Sequence, residues 1–144
     1  MLKLIRKRKE NGEKGQALVE FALLVPIFLI LLFAIVDFGM GFYSWITVTN
    51  SAREGARIGA VLASEQQIID RVHATSDLIN EDENMDILVT NAADQGGLPG
   101  QSVVVKVDYR YDLITPLAGL VAFLSGDIIG PTLTLSSTAE MRLE

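Results

Sequence analysis

The sequence predicts an α+β membrane protein. A long N-terminal transmembrane and stem helix leads into a small extracytoplasmic domain with a second helix and an antiparallel sheet. Three observations carry this. Sixteen uncharged residues, FALLVPIFLILLFAIV, separate Glu20 from Asp37. A series of small residues at helical spacing follows them. Two later stretches alternate apolar and polar residues with the period of a strand. The 144 residues suit one domain beyond the anchor, in three parts: a basic leader (1–15), the membrane helix with its stem (16–63) and a small α+β domain (64–144).

The leader holds Lys3, Arg6, Lys7, Arg8, Lys9 and Lys14 against Glu10 and Glu13, a sum of +4, while the other 129 residues sum to −10. Lys and Arg ahead of a spanning helix are retained in the cytoplasm, and the far flank has none until Arg53, so residues beyond about 40 are expected outside the cytoplasmic (inner) membrane. A bilayer core needs about 20 helical residues. The uncharged stretch resumes at Phe38 and runs to Ala52, so the span is long enough. Asp37 falls roughly 25 Å along the helix from Glu20, near the far interface. Pro26 removes one backbone bond and is expected to bend the helix.

Glu20 is the odd residue. A carboxylate just inside an apolar helix costs about 2.5–3.5 kcal/mol and needs a partner; the plainer reading leaves it in the headgroup zone. The string Lys14-Gly15-Gln16-Ala17-Leu18-Val19-Glu20-Phe21 resembles the type IV prepilin processing site, where a peptidase cuts after the Gly and leaves the apolar stretch on the mature protein. The resemblance implies cleavage between Gly15 and Gln16. Gly suits the cut because its backbone can extend in a protease cleft. The new α-amine of Gln16, with a reference pKa of about 7.7–8.0, would pair with Glu20 of a neighbouring chain and set the register between helices. An ordinary secretory signal ending near Gly39-Met40-Gly41 competes, but its polar start and apolar core are long for that role and it leaves Glu20 without a purpose.

From Tyr43 to Ala63 the helical pattern continues, with Tyr43 and Trp45 suited to the membrane interface. Ala52, Gly55, Ala56, Gly59, Ala60 and Ala63 line one face, over which another backbone can approach closely. Its partner is either this chain's own sheet or a helix of another subunit. Two glycines inside a helix cost about 1 kcal/mol each, which packing must offset. Arg53 and Arg57 share a different face, with Glu54 in reach of Arg57.

The stretch Asn50-Ser51-Ala52-Arg53-Glu54-Gly55-Ala56-Arg57 closely resembles the Ala-Arg-x-Gly-Ala-Arg segment of TadE-like proteins, minor pilins or pseudopilins of the tight-adherence (Flp) pilus system. The resemblance runs from Gly15 through Arg57 and weakly to the chain's end. Phe21 departs from it, since the processing site often has Tyr there. It implies a pilus-assembly role, with prepilin peptidase, other pilins, the assembly platform and membrane lipid as partners. The alternative is an unprocessed single-span anchor that scaffolds a secretion complex.

Ser64-Glu65-Gln66-Gln67 reads as a capping box opening a second helix with the apolar stripe Ile68, Val72, Thr75 and Ile79. His73, between Asp70 and Asp77, reads as a surface imidazole paired with carboxylates. Glu81-Asp82-Glu83 is an acidic turn, and Met85–Thr90 a possible strand. Val103, Val105, Val107, Tyr109 and Tyr111 alternate with polar residues, Val104 excepted. Leu133, Leu135, Ala139, Met141 and Leu143 do the same with Ser137 as a polar gap. An antiparallel pair covering the small-residue helix is expected. Thr115-Pro116 fits an N-cap with proline at the first helical position, opening the apolar stripe Leu117, Leu120, Val121 and Leu124. That stripe reads as a lid on the core or as an apolar lip touching lipid.

The chain has no Cys and one His, a net charge of −6 and a pI near 4.7. These exclude disulfides, Cys-based zinc sites and thiol nucleophiles, and argue against nucleic-acid binding. With no nucleophile motif, phosphate loop or metal spacing, no enzyme, cofactor, metal or small-molecule substrate is expected.

Overall fold

A computed structural model describes residues 2–76, 79, 84–119, 122, 126 and 132–144, with side chains from Gly15 onward. Its elements are α1 (Leu2–Gly59), α2 (Glu65–Thr75), β1 (Met85–Thr90), a 3-10 turn (Ala93–Gln95), β2 (Ser102–Asp112) and β3 (Thr132–Arg142). The chain divides into two units, Met1–Val36 and Asp37–Glu144.

The first unit is helix alone, running on through Pro26. Its large apolar side chains, among them Phe21, Leu23, Leu24, Ile27, Phe28, Leu31 and Ile35, are exposed. Such a surface is unfavourable in water and favourable in hydrocarbon, and a helix satisfies its own backbone groups there, save the carbonyl one turn before Pro26. Among the described residues, one helix is long and apolar enough to cross a membrane. The fold is α+β with a membrane-spanning stem.

The second unit is built on the far half of α1. Ser44, Val48, Ser51, Ala52, Gly55, Ala56 and Gly59 recur at steps of three and four and are all buried, the spacing of one helix face. Opposite them stand Val103, Val105, Val107, Tyr109 and Tyr111 of β2 and Ile68 and Val72 of α2, also buried. Each fully buried Val or Ile contributes about 1.5–3 kcal/mol. Ser51 spends its hydroxyl on the Val48 carbonyl at 3.0 Å, so its burial leaves nothing unpaired.

The sheet is antiparallel in the order β1-β2-β3. β2 pairs Val105 with both Val89 and Ala139, and Val107 with both Ile87 and Ser137. The expected pair of later strands is present, and Met85–Thr90 joins it as a third. The small-residue face of α1 meets β2 at Val103 and Val105 and also α2 at Ile68 and Val72. The inward side chains of β3, Leu135, Ala139 and Met141, are only half-buried, because the strand lies at the sheet edge.

The stem helix ends at Gly59, four residues before Ala63. Its last carbonyls are taken by tighter i,i+3 bonds, Val61 N to Ile58 O and Leu62 N to Gly59 O, and Leu62 takes a left-handed φ of 61°. Such tightening commonly closes a helix. The chain terminus pins this corner: Glu144 N donates to Ala60 O at 2.9 Å, and Leu143, 2% exposed, fills the space beneath.

The capping box at Ser64 is present, with Gln67 N donating to Ser64 Oγ and Ser64 N to Gln67 Oε1. Asp94 adds a second cap, accepting from Glu65 N at 2.8 Å. The helix stops at Thr75, so Ile79 lies beyond it, yet it is buried in the core. Asp77, the acidic turn Glu81-Asp82-Glu83, and Leu120, Val121 and Leu124 lie outside the described residues.

Candidate functional site

The residues expected to matter fall in two places, one in each unit. In the first, Gly15, Gln16, Glu20 and Phe21 are exposed residues of continuous helix. Gly15 has nothing within 4 Å of where a Cβ would stand, so among the described residues no packing contact calls for its lack of a side chain. Gln16 Nε2 donates to Glu20 Oε1 at 3.0 Å, one helical turn on. The carboxylate thus has one partner inside its own chain.

In the second unit the stem motif divides by face. Ala52 and Ala56 are fully buried. A Cβ on Gly55 would stand 2.7 Å from Val72 Cγ2 and 3.3 Å from Val105 Cγ1. One on Gly59 would stand 2.9 Å from Val103 Cγ2 and 3.1 Å from Ile68 Cδ1. These glycines therefore let α2 and β2 lie directly on the α1 backbone. Of the partners weighed for the small-residue face, this chain's own domain occupies Ala52, Gly55, Ala56 and Gly59; Ala60 is half-buried.

The motif's two arginines differ. Arg57 Nη2 pairs with Glu54 Oε2 at 2.8 Å, and the same oxygen holds Arg71 Nη2 of α2 at 3.1 Å. Glu54 is therefore a tie between α1 and α2. Arg71 Nε is buried without a partner among the described residues, which leaves Glu54 as the group that compensates this guanidinium. Arg53 is exposed, and among the described residues no bond or ion pair holds it.

Asp37 has a role the sequence did not disclose. It is 3% exposed. Its Oδ1 accepts the N–H groups of Ile114 at 3.0 Å and Thr115 at 3.2 Å, and its Oδ2 accepts the Thr115 hydroxyl at 2.5 Å. Its carbonyl accepts the Tyr111 hydroxyl at 3.2 Å. Three donors on one carboxylate compensate its burial. Thr115 Oγ1 in turn accepts from Leu117 N at 3.2 Å, the N-cap expected of Thr115-Pro116, and residues 117–119 are helical. Burial, then the nearby Asp37 charge, then Tyr109 push the Tyr111 phenol above its ordinary pKa.

On the outer face of the sheet, Lys106 Nζ stands 2.6 Å from Asp108 Oδ2, and the Ser136 hydroxyl also donates to Asp108. Asp70, expected beside His73, accepts from Gln66 at 2.9 Å. Among the described residues no three His, Asp or Glu side chains are grouped to hold a metal.

A family model described as TadE-like protein matches residues 15–57. No curated protein and no solved structure matches the chain. The matched segment begins at the glycine of the N-terminal string and ends at the arginine that Glu54 holds; over that segment, apolar span and stem together, the chain is similar to the TadE-like family.

Proposed function

We propose that this protein is a TadE-like pseudopilin that takes part in assembling tight-adherence (Flp) pili. It enters the inner membrane by α1 with its leader in the cytoplasm and its domain outside, and prepilin peptidase cuts it after Gly15. The observation that carries the reading is α1 itself. One helix holds the apolar span and also supplies Val48, Ala52 and Ala56 to the domain core. Cleavage near Gly39-Met40-Gly41, as a secretory signal would require, would remove Asp37 and the four hydrogen bonds it accepts from Tyr111, Ile114 and Thr115. A cut after Gly15 leaves all of these in place.

Gly15 fits the peptidase's need. The backbone there is helical, a protease requires it extended, and Gly weakens the helix locally by about 1 kcal/mol. Because no neighbour among the described residues calls for a glycine at this position, the enzyme's requirement gives a reason for it. After the cut, the Gln16 amine and Glu20 of adjacent chains neutralise each other and fix the axial register of packed helices. Assembly then proceeds through contacts with other pilins and the assembly platform rather than through catalysis.

The test compares wild type, Gly15→Leu and Glu20→Ala in a strain lacking its own copy. Gly15→Leu accumulates as full-length precursor and loses surface adherence. Glu20→Ala is cut normally and also loses adherence. Normal adherence with either variant overturns the reading.

A further inference from the structure

Processing between Gly15 and Gln16 makes glutamine the first residue of the mature chain. A free N-terminal glutamine is chemically unstable. Its α-amine nitrogen attacks its own side-chain Cδ; a new N–Cδ bond forms and the Cδ–Nε2 bond breaks. One amine proton passes to Nε2, which leaves as ammonia. The product is a five-membered lactam, with no oxidation or reduction. The lactam nitrogen is uncharged, so closure would abolish the cation that Glu20 of a neighbour is to meet.

Closure needs the amide carbon folded back against the residue's own nitrogen. The Gln16 side chain instead reaches forward, with Nε2 on Glu20 Oε1 at 3.0 Å, four residues on. That is one turn toward the helix C-terminus, whereas the backbone nitrogen faces the N-terminus. An amide held on Glu20 cannot also lie over the nitrogen. The bond is charge-assisted, and low local dielectric beside the membrane strengthens it. The contact leaves Glu20 Oε2 for an amine from another chain.

We propose that Glu20 protects the mature N-terminus: its carboxylate draws the Gln16 amide along the helix and keeps the α-amine open and chargeable until assembly. The proposal rests on processing after Gly15.

The experiment reads the mass of the N-terminal peptide from protein extracted from membranes of cells with prepilin peptidase, before and after incubation in detergent at neutral pH. Wild type yields a peptide beginning at Gln16 with its ammonia retained. Glu20→Ala accumulates the form lighter by one ammonia, about tenfold more than wild type after equal incubation, the ratio set by one charge-assisted bond of ordinary strength. Glu20→Gln, whose side-chain oxygen still accepts the amide, stays nearer to wild type. Wild type cyclising as fast as Glu20→Ala, or Glu20→Ala remaining open, overturns the proposal. Wild type that still carries Met1 instead overturns the processing reading, and this proposal with it.

Discussion

The Asp37 carboxylate closes on Thr115 across 78 positions of sequence, taking its hydroxyl on one oxygen and its N–H on the other. This contact ties the start of the domain's part of α1 to the segment that follows β2. Asp37→Ala would leave the Ile114 and Thr115 donors without their acceptor, and losing a buried hydrogen-bonded charge costs about 3 kcal/mol. Unfolding followed by circular dichroism in mild detergent should show that loss. Thr115→Val should cost less, and the double variant less than the sum, because both act on one network.

The close approach at Gly55 predicts a steric coupling. Gly55→Ala gains helix propensity but drives a methyl into Val72, and overpacking of this kind costs about 1–3 kcal/mol. The net effect should be destabilising. In a Val72→Ala background the methyl added by Gly55→Ala should cost less than it does alone, seen as favourable coupling in a double-mutant cycle.

The two motif arginines should separate folding from assembly. Glu54→Ala should lower domain stability modestly, since it releases both Arg57 and Arg71 at a solvent-screened site. Arg53→Ala should change stability by less than about 0.5 kcal/mol, as exposed substitutions do. If Arg53 serves another subunit, adherence falls in Arg53→Ala while its unfolding curve stays on that of wild type.

Asp108 sets a pH dependence. The Lys106 ammonium first, and the Ser136 hydroxyl second, hold its carboxyl below the usual carboxylate range. A depressed folded-state pKa adds stability that is fully present above the unfolded value, about 3.9, and is lost as pH falls through the folded one. The pair is partly exposed, so the amount is below about 1 kcal/mol. Asp108→Asn should lower stability at pH 7 by that amount and flatten the acid limb of stability against pH below about 4.

What the sequence discloses here is local. The Ser64 capping box, the alternation of Val103 to Tyr111 and the small-residue spacing each lie within a few residues, where period and cap chemistry act directly. The contacts it hides join distant positions: Asp37 to Thr115, Glu54 to Arg71, Asp94 to the start of α2. Asp37 could be placed only as a charge near the interface, because nothing in its neighbourhood names Thr115. Likewise Ala52, Gly55 and Ala56 announce a close partner, but only the fold shows it to be β2 and α2. The N-terminal string carries a resemblance in its own residues, whereas the Gln16–Glu20 bond emerges only with side chains in place.

On the proposed reading the apolar helix stays in the working protein after its leader is removed. Intact mass of the protein, taken separately from membrane and soluble fractions of cells with prepilin peptidase, tests it most directly. The expected product is a membrane-bound chain that begins at Gln16 and keeps the apolar helix. A soluble product beginning near Phe42, shorn of residues 16–41, would contradict it.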